Sequence, residues 1–147
     1  MSWDNANLAL NLLALDPALG GITIRARSGP VRETLLAQLP FAHIARLHPA
    51  MTDEALLGGL DLSTTLASGR VVTKQGLLQV KTPLLLTMAE RTPPRMAAHL
   101  AVHLDQGNGP LILLDEGAEI DELPPAALTE RVAFHVDLSD VAMAAAM

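Results

Sequence analysis

Residues 21–39, GITIRARSGPVRETLLAQL, decide the fold that the sequence predicts. The first five, GITIR, form a short β-branched run, which is typical of a buried strand. A polar turn at 27–29 follows, and over residues 30–39 apolar side chains recur at the four-residue spacing of a helix. The stretch therefore predicts a strand, a tight loop and a helix, the repeating unit of an open α/β sheet.

The same alternation continues on both sides of this unit. We predict further strands at 41–47, 83–87, 110–114 and 132–138, and helices at 5–15, 51–68, 93–104 and 124–130. No tight turn joins two neighbouring strands, so the predicted fold class is α/β, with a mostly parallel sheet and helices on both faces. The Ala- and Met-rich tail from Asp140 is predicted to be helical.

Two of these helices carry finer predictions. Leu8, Leu12 and Leu15 share one face of the first helix, which we expect to dock ahead of the first strand. The segment 51–68 is expected to form two short helical pieces, broken at its Gly-Gly pair, with Thr52 as the N-cap.

Composition limits the class of protein. The chain has 147 residues, enough for one domain, and 50% are hydrophobic but only 2% aromatic, which predicts an aliphatic core. No run reaches the roughly 20 apolar residues of a membrane span, and no secretory signal is evident, so we expect a soluble protein. The absence of cysteine excludes disulfides and Cys-based zinc sites. A reducing compartment fits, and we place the protein in the cytoplasm.

Charge is divided unevenly along the chain. Residues 1–104 hold nine Lys and Arg against seven Asp and Glu, whereas residues 105–147 hold one against nine. The basic residues are scattered, and no aromatic residues lie between them. We therefore predict no nucleic-acid partner.

The loop after the first strand occupies the place of a phosphate-binding loop. Compared with the pattern G-x-x-x-x-G-K-[ST], RARSGPVR at 25–32 has Arg25 for the first Gly, Pro30 for the second, Val31 for the Lys and Arg32 for the hydroxyl residue. Pro30 also lacks an N–H donor. Hydrolysis at this loop is not expected.

Two interpretations of this loop stay open. It is a plain tight turn, or it keeps a residual phosphate contact through its arginines. The candidate contacts are Arg25, Arg27, Ser28, Gly29 and Arg32.

Acidic residues follow two of the predicted strands. The run at 83–87 ends at Thr87 and is followed by Met88. The nearest acid, Glu90, is interpreted as a solvated or helix N-terminal carboxylate. The densest acidic run lies at 115–122. Its first two residues follow an apolar run, as the acids of a Mg²⁺-binding strand would. The spacing of the acids fits no calcium-binding loop. The preferred interpretation is a solvated or partner-facing acidic loop.

Histidine spacing offers one further metal candidate. His99 and His103 lie four residues apart, a spacing that lets two imidazoles share a metal, but no third ligand is evident. We interpret both as helix-surface residues and predict no metal site.

Arg131 is the only basic residue after position 104. Either it forms a local ion pair with Glu130 or the acidic loop, or it is presented at a surface to stabilise phosphate charge in a neighbour's site.

Longer stretches carry a family resemblance. The opening, NLALNLLALDPALGGITIRARSGPVRETLLAQLP at 7–40, resembles that of the magnesium chelatase AAA+ subunits. DEALLGGLDLSTTLASGR at 53–70 with QGLL at 75–78, PLLLTMAERTPPRMAAHLAVHLDQG at 83–107 and PPAALTERVAFHVDL at 124–138 extend the match, which covers roughly residues 5–140. The pattern resembles the N-terminal AAA+ domain of the D subunit, in its bacteriochlorophyll-pathway form.

The resemblance implies a three-layer AAA+ core, like that of P-loop proteins, with a mostly parallel five-stranded sheet. Val31 and Arg32 then stand where the nucleotide-binding Lys and Ser/Thr would be. Thr87 and Met88 stand where the Asp-Glu pair that binds Mg²⁺ would be. Asp115 and Glu116 fall near the polar sensor position. Arg131 matches the arginine finger, with Val132 in place of the usual Phe. The lid, acidic Pro-rich linker and integrin-type domain of a full D subunit are not in the sequence, so a fragment is expected.

The resemblance also implies partners. The ATPase I subunit would form a ring with this domain and supply ATP and Mg²⁺, and the H subunit would join in the full enzyme. The domain itself would bind no cofactor tightly and would not hydrolyse ATP. Two alternatives stay open: a weak ATP-binding or ATPase domain with an atypical phosphate loop, and a purely structural α/β adaptor.

Overall fold

The computed structural model describes residues 2–142, which divide into two compact units. One unit comprises the chain up to Pro49 and from Thr82 onward, and the other comprises Ala50–Lys81. Most of the tail predicted to be helical lies outside the described residues.

The secondary structure alternates helices and strands in chain order. The helices are α1 (Ser2–Leu15), α2 (Pro30–Ala37), α3 (Asp53–Leu57), α4 (Leu62–Ser68), α5 (Pro94–Asp105) and α6 (Ala126–Thr129). The strands are β1 (Gly21–Arg25), β2 (Ala45–Leu47), β3 (Gly58–Leu60), β4 (Thr73–Gln75), β5 (Leu84–Leu86), β6 (Leu111–Asp115) and β7 (Phe134–Asp137). Short 3₁₀ helices form at Pro17–Leu19, Leu77–Gln79 and Ala89–Arg91.

The first unit is built on a five-stranded sheet with the order β2-β5-β6-β1-β7, in which every pairing is parallel. The strands β5 and β6 are buried along their whole length, as their continuous apolar runs predict. This confirms the predicted α/β class. The predicted strand at 41–47 is shorter than expected, since only Ala45–Leu47 pairs.

The register of the central strand places charged residues side by side. Arg25, the last residue of β1, lies opposite Asp115 in β6 and opposite Asp137 in β7. Because parallel strands end at the same edge of a sheet, one cation and two carboxylates meet at the carboxyl edge.

Helix α1 packs against the core with the face opposite to Leu8 and Leu15. Trp3, Leu10 and Leu13 are buried, whereas Leu8 and Leu15 are 59% and 82% exposed. The predicted leucine face is therefore the outer one. Apolar residues recur at helical spacing on both sides of α1, so spacing alone cannot choose between them, and the buried side includes two small alanines that permit close packing.

The second unit contains a pairing that the sequence analysis missed. The two predicted helices are present as α3 and α4, and the predicted cap is confirmed, because the Thr52 side chain accepts a hydrogen bond from the Ala55 N–H at 3.1 Å. Between them, however, residues 58–60 form β3, which pairs antiparallel with β4. The connection between these strands includes α4, so no tight turn marks the hairpin in the sequence.

Across residues 2–142, no helix combines the length and the apolar character that crossing a membrane requires.

Candidate functional site

The candidate site lies at the carboxyl edge of the five-stranded sheet, where the loops after β1, β5 and β6 meet. In open α/β sheets this edge is where ligands bind. The loop after β1 is the predicted phosphate loop, and the loop after β6 is the acidic run at 116–122.

Arg25 links these two loops. Its Nη1 donates to Asp115 Oδ2 at 3.1 Å and to the Glu122 carbonyl at 3.3 Å, and its Nη2 donates to the carbonyls of Gly117 at 2.8 Å and Glu119 at 2.9 Å. These four bonds, three to the acidic loop and one to the end of β6, leave little of the guanidinium for an external anion. Arg25 therefore holds the acidic loop against the strand ends.

Asp115 is the buried partner in this arrangement. The residue is only 3% exposed, and its second carboxylate oxygen accepts the Gly117 N–H at 2.9 Å. A buried carboxylate needs such compensation, because removal from water is costly for a charge.

Arg32 forms a second internal ion pair across the site. Its Nη1 donates to the Glu116 carboxylate, while Nη2 contacts Glu33 Oε1 at 3.3 Å and Ser28 Oγ at 3.5 Å. Among the described residues, its buried Nε has no hydrogen-bond partner. Arg32, which occupies the Ser/Thr position of the phosphate-loop pattern, thus binds an acid of this same chain.

Glu116 connects three loops. Its carboxylate also accepts the Met88 N–H at 2.9 Å, and its own N–H donates to the Glu90 carboxylate at 2.9 Å. The Glu90 side chain is only 5% exposed, so the solvated interpretation of this acid is wrong. Met88 adopts a left-handed conformation, φ 48°, which is uncommon outside glycine. Sequence reasoning missed this network because its members lie 26 to 84 residues apart.

The remaining loop residues line a small cavity of about 170 Å³ between the β1 loop and the segment after β7. Arg27 and Ser28 are exposed there, and Gly29 precedes α2, which begins at Pro30. Val31 packs against the core and offers no cation.

The acid at the end of β7 has its own partner beside this cavity. Hydrogen bonds from the Ser139 hydroxyl and backbone N–H lower the pKa of Asp137, and the charge of Arg25 acts in the same direction. Asp137 therefore stays ionised at neutral pH.

Arg131 lies at the opposite edge of the sheet, just before β7 begins. Its Nε donates to Asp105 Oδ1 at 2.9 Å, Nη2 to Asp105 Oδ2 at 3.3 Å and Nη1 to the Ala127 carbonyl at 2.7 Å. The hydrogen bond to Asp105 is also the main cause that raises the pKa of Arg131. The local ion pair considered for Arg131 is thus present, but its partner is Asp105, not Glu130 or the acidic loop.

The histidine pair on α5 has no third metal ligand beside it among residues 2–142. His103 is buried, contrary to the prediction of a surface residue, and burial lowers its pKa. Nowhere in the described chain do three His, Cys, Asp or Glu side chains come together in a way that could hold a metal ion.

Comparison with known proteins identifies relatives over most of the chain. No family model matches. The chain is 46% identical over 140 residues to the magnesium-chelatase 60 kDa subunit of Cereibacter sphaeroides and 44% identical over 146 residues to that of Rhodobacter capsulatus. These alignments cover 92% and 96% of this chain but only 25% and 26% of the relatives. The chain therefore spans about a quarter of their length.

Two solved structures show the same fold. A chain from a complex between subunits BchI and BchD of magnesium chelatase has a TM-score of 0.67 and 16% identity, with 93% of this chain and 59% of that one covered. A crystal structure of a protein from Cytophaga hutchinsonii has a TM-score of 0.65 and 13% identity, covering 97% and 47%. These likenesses confirm the predicted α/β fold with its parallel five-stranded sheet.

Proposed function

Because this chain belongs to the family of the magnesium-chelatase 60 kDa subunits, we propose that it is a non-hydrolysing AAA+ module of magnesium chelatase. Its role is assembly: it docks on the ATPase I subunit in a ring, within an enzyme that also contains the H subunit and inserts Mg²⁺ into protoporphyrin IX for bacteriochlorophyll synthesis. ATP and Mg²⁺ come with the I subunit, and this module binds neither tightly.

One observation carries the non-hydrolysing part of the proposal: the Arg32 guanidinium is paired with Glu116 of the same chain. A working phosphate loop places a lysine and a hydroxyl here, for the phosphates and for Mg²⁺. With Val31 and Arg32 in those positions, the loop has no lysine, and a fixed positive charge stands where the hydroxyl would face the metal. The bulk of Arg32 disfavours a nucleotide-bound Mg²⁺ there, and its side chain offers no oxygen ligand to the metal.

The position of Arg131 supports a role toward a neighbour. It lies at the amino edge of the sheet, whereas the module's own phosphate-loop position is at the carboxyl edge. An arginine so placed can reach only a nucleotide that another subunit holds. The structural likeness to a chain from the BchI–BchD complex fits assembly of this kind.

Substitution of Arg131 tests the proposal. Arg131→Ala should lower ATPase and chelatase activity of the mixed complex, by up to about 10³-fold, the lower end for an arginine finger supplied in trans. Arg46→Ala removes an exposed arginine from β2, far along the sheet from β7, and should leave activity unchanged. Unchanged activity of the Arg131 variant in a fully assembled complex would remove the finger role.

A further inference from the structure

Arg131 is held by an acidic residue that no part of the proposed function uses. Resting on the finger role proposed above, we propose that Asp105 is a positioning residue, which fixes the Arg131 guanidinium so that its outer edge faces a phosphate group held by the neighbouring subunit.

The hydrogen bonds between Asp105 and Arg131 fix the orientation of the guanidinium. Both oxygens of Asp105 accept, one from Nε at 2.9 Å and one from Nη2 at 3.3 Å, so the carboxylate fixes the plane of the guanidinium. The Ala127 carbonyl accepts from Nη1 at 2.7 Å and fixes the third nitrogen. Asp105 is the last residue of α5 and Ala127 lies in α6, so both acceptors belong to helices.

The bonds leave part of the guanidinium open. Of the five N–H groups of an arginine, one on each terminal nitrogen remains without an acceptor among residues 2–142. The side chain is 33% exposed, so these groups are within reach of solvent. Two donors in one plane match two oxygens of a phosphoryl group, the ligand that arginine binds through paired hydrogen bonds.

Stability alone does not account for the pair. Asp105 is 57% exposed, and ion pairs between exposed side chains contribute little to folding. The ion pair can contribute more by orienting Arg131. A catalytic group that is already held in one geometry loses no further entropy when the reaction occurs, and small misplacements reduce rates strongly.

The test is a double-substitution cycle in the complete protein, assembled with the ATPase I subunit. Asp105→Ala should lower kcat for ATP hydrolysis about tenfold with little change in KM, because Arg131 remains but loses its orientation. Asp105→Asn, which keeps the shape and one acceptor, should fall between Asp105→Ala and the unsubstituted protein. The matched control is Glu130→Gln, which removes the same charge beside Arg131 from a residue that does not hydrogen-bond to it.

The double variant Asp105→Ala/Arg131→Ala distinguishes positioning from a structural role. If Asp105 acts through Arg131, the double variant should match Arg131→Ala alone, whereas independent effects would multiply. The midpoint of urea unfolding and the assembly with the I subunit should be the same for Asp105→Asn and the unsubstituted protein.

The outcomes separate the two proposals. If Arg131→Ala has full activity, the finger role fails. If Arg131→Ala is impaired but both Asp105 variants are as active as the Glu130 control, the finger role stands and the positioning role is overturned. A gain of activity in Asp105→Ala would also overturn it, since the ion pair would then restrain Arg131 instead of presenting it.

Discussion

Arg25 and Arg32 flank the predicted phosphate loop, and each holds a carboxylate of this same chain. One of the two interpretations that the sequence leaves open is that arginines here attract an anion, but the sequence does not say which anion. The anions are Asp115 and Glu116, 90 and 84 residues further on. Their proximity depends on β6 lying next to β1 in the sheet, which local patterns do not determine. The sequence therefore predicts the arginines of the site but neither their pairing nor the burial of Asp115, which was expected in a solvated or partner-facing acidic loop.

The Arg25 pair leads to a prediction about stability. Arg25→Met should lower the free energy of unfolding by about 3 kcal/mol, because removing one partner leaves the buried Asp115 carboxylate uncompensated. The measurement is urea unfolding at neutral pH. Arg27→Met is the matched control, since Arg27 is two residues away and exposed, and it should change stability by less than about 0.5 kcal/mol. Equal effects would contradict a structural role for the Arg25 contacts.

At the scale of secondary structure, the sequence predicted those helices and strands whose formation depends on residues close together in the chain. The strands β5 and β6 are continuous apolar runs between breakers, and α5 has a strong helical repeat after Pro93. The missed strands β3 and β4, GGL and TKQ, have little intrinsic strand preference and form only through each other. The sheet also selects the buried face of α1, which the spacing of its apolar residues does not determine.

One turn between elements lies against the backbone of Arg131. Gly20, between the first 3₁₀ helix and β1, has φ +88°, and a Cβ there would lie 2.2 Å from the Arg131 carbonyl oxygen. Gly20→Ala should therefore cost about 3 kcal/mol of unfolding free energy, from backbone strain and from displacement of the Arg131 segment. In the assembled complex it should also lower the activity that depends on Arg131.

Gly107→Ala is the control for that substitution. Gly107 has a similar φ of +78°, but a Cβ there has no neighbour within 4 Å. Its replacement should cost only the conformational strain, about 1 kcal/mol. Urea unfolding of both variants measures the difference. Equal losses would show that strain alone matters and that the contact with Arg131 does not.

At the scale of the whole molecule, the two edges of the sheet differ in how their charges are paired. At the carboxyl edge, Arg25 is paired with Asp115 and Arg32 with Glu116, both acids of the same chain. At the amino edge, Arg131 is partly exposed and keeps N–H groups for an acceptor that the described chain does not supply. The arrangement suits a module that neutralises its own nucleotide position and acts on another.

This difference between the edges predicts how the chain responds to nucleotide. A ligand that binds only the folded state raises the unfolding free energy by RT ln(1 + [L]/Kd), about 2.7 kcal/mol at a hundredfold excess over Kd. Because Arg32 is paired with Glu116 and Val31 offers no cation, we expect the Kd for MgATP to be about 1 mM or higher. At 1 mM, MgATP should then add less than about 0.4 kcal/mol to the unfolding free energy.

Urea unfolding in the presence of MgATP measures this gain in unfolding free energy. A second series with Mg²⁺ alone separates the effects of the cation on the acidic loop. The I subunit, tested in parallel, should be stabilised. A gain above about 1 kcal/mol from MgATP but not from Mg²⁺ would mean that the altered loop still binds nucleotide, and the module would then be a weak ATP-binding domain.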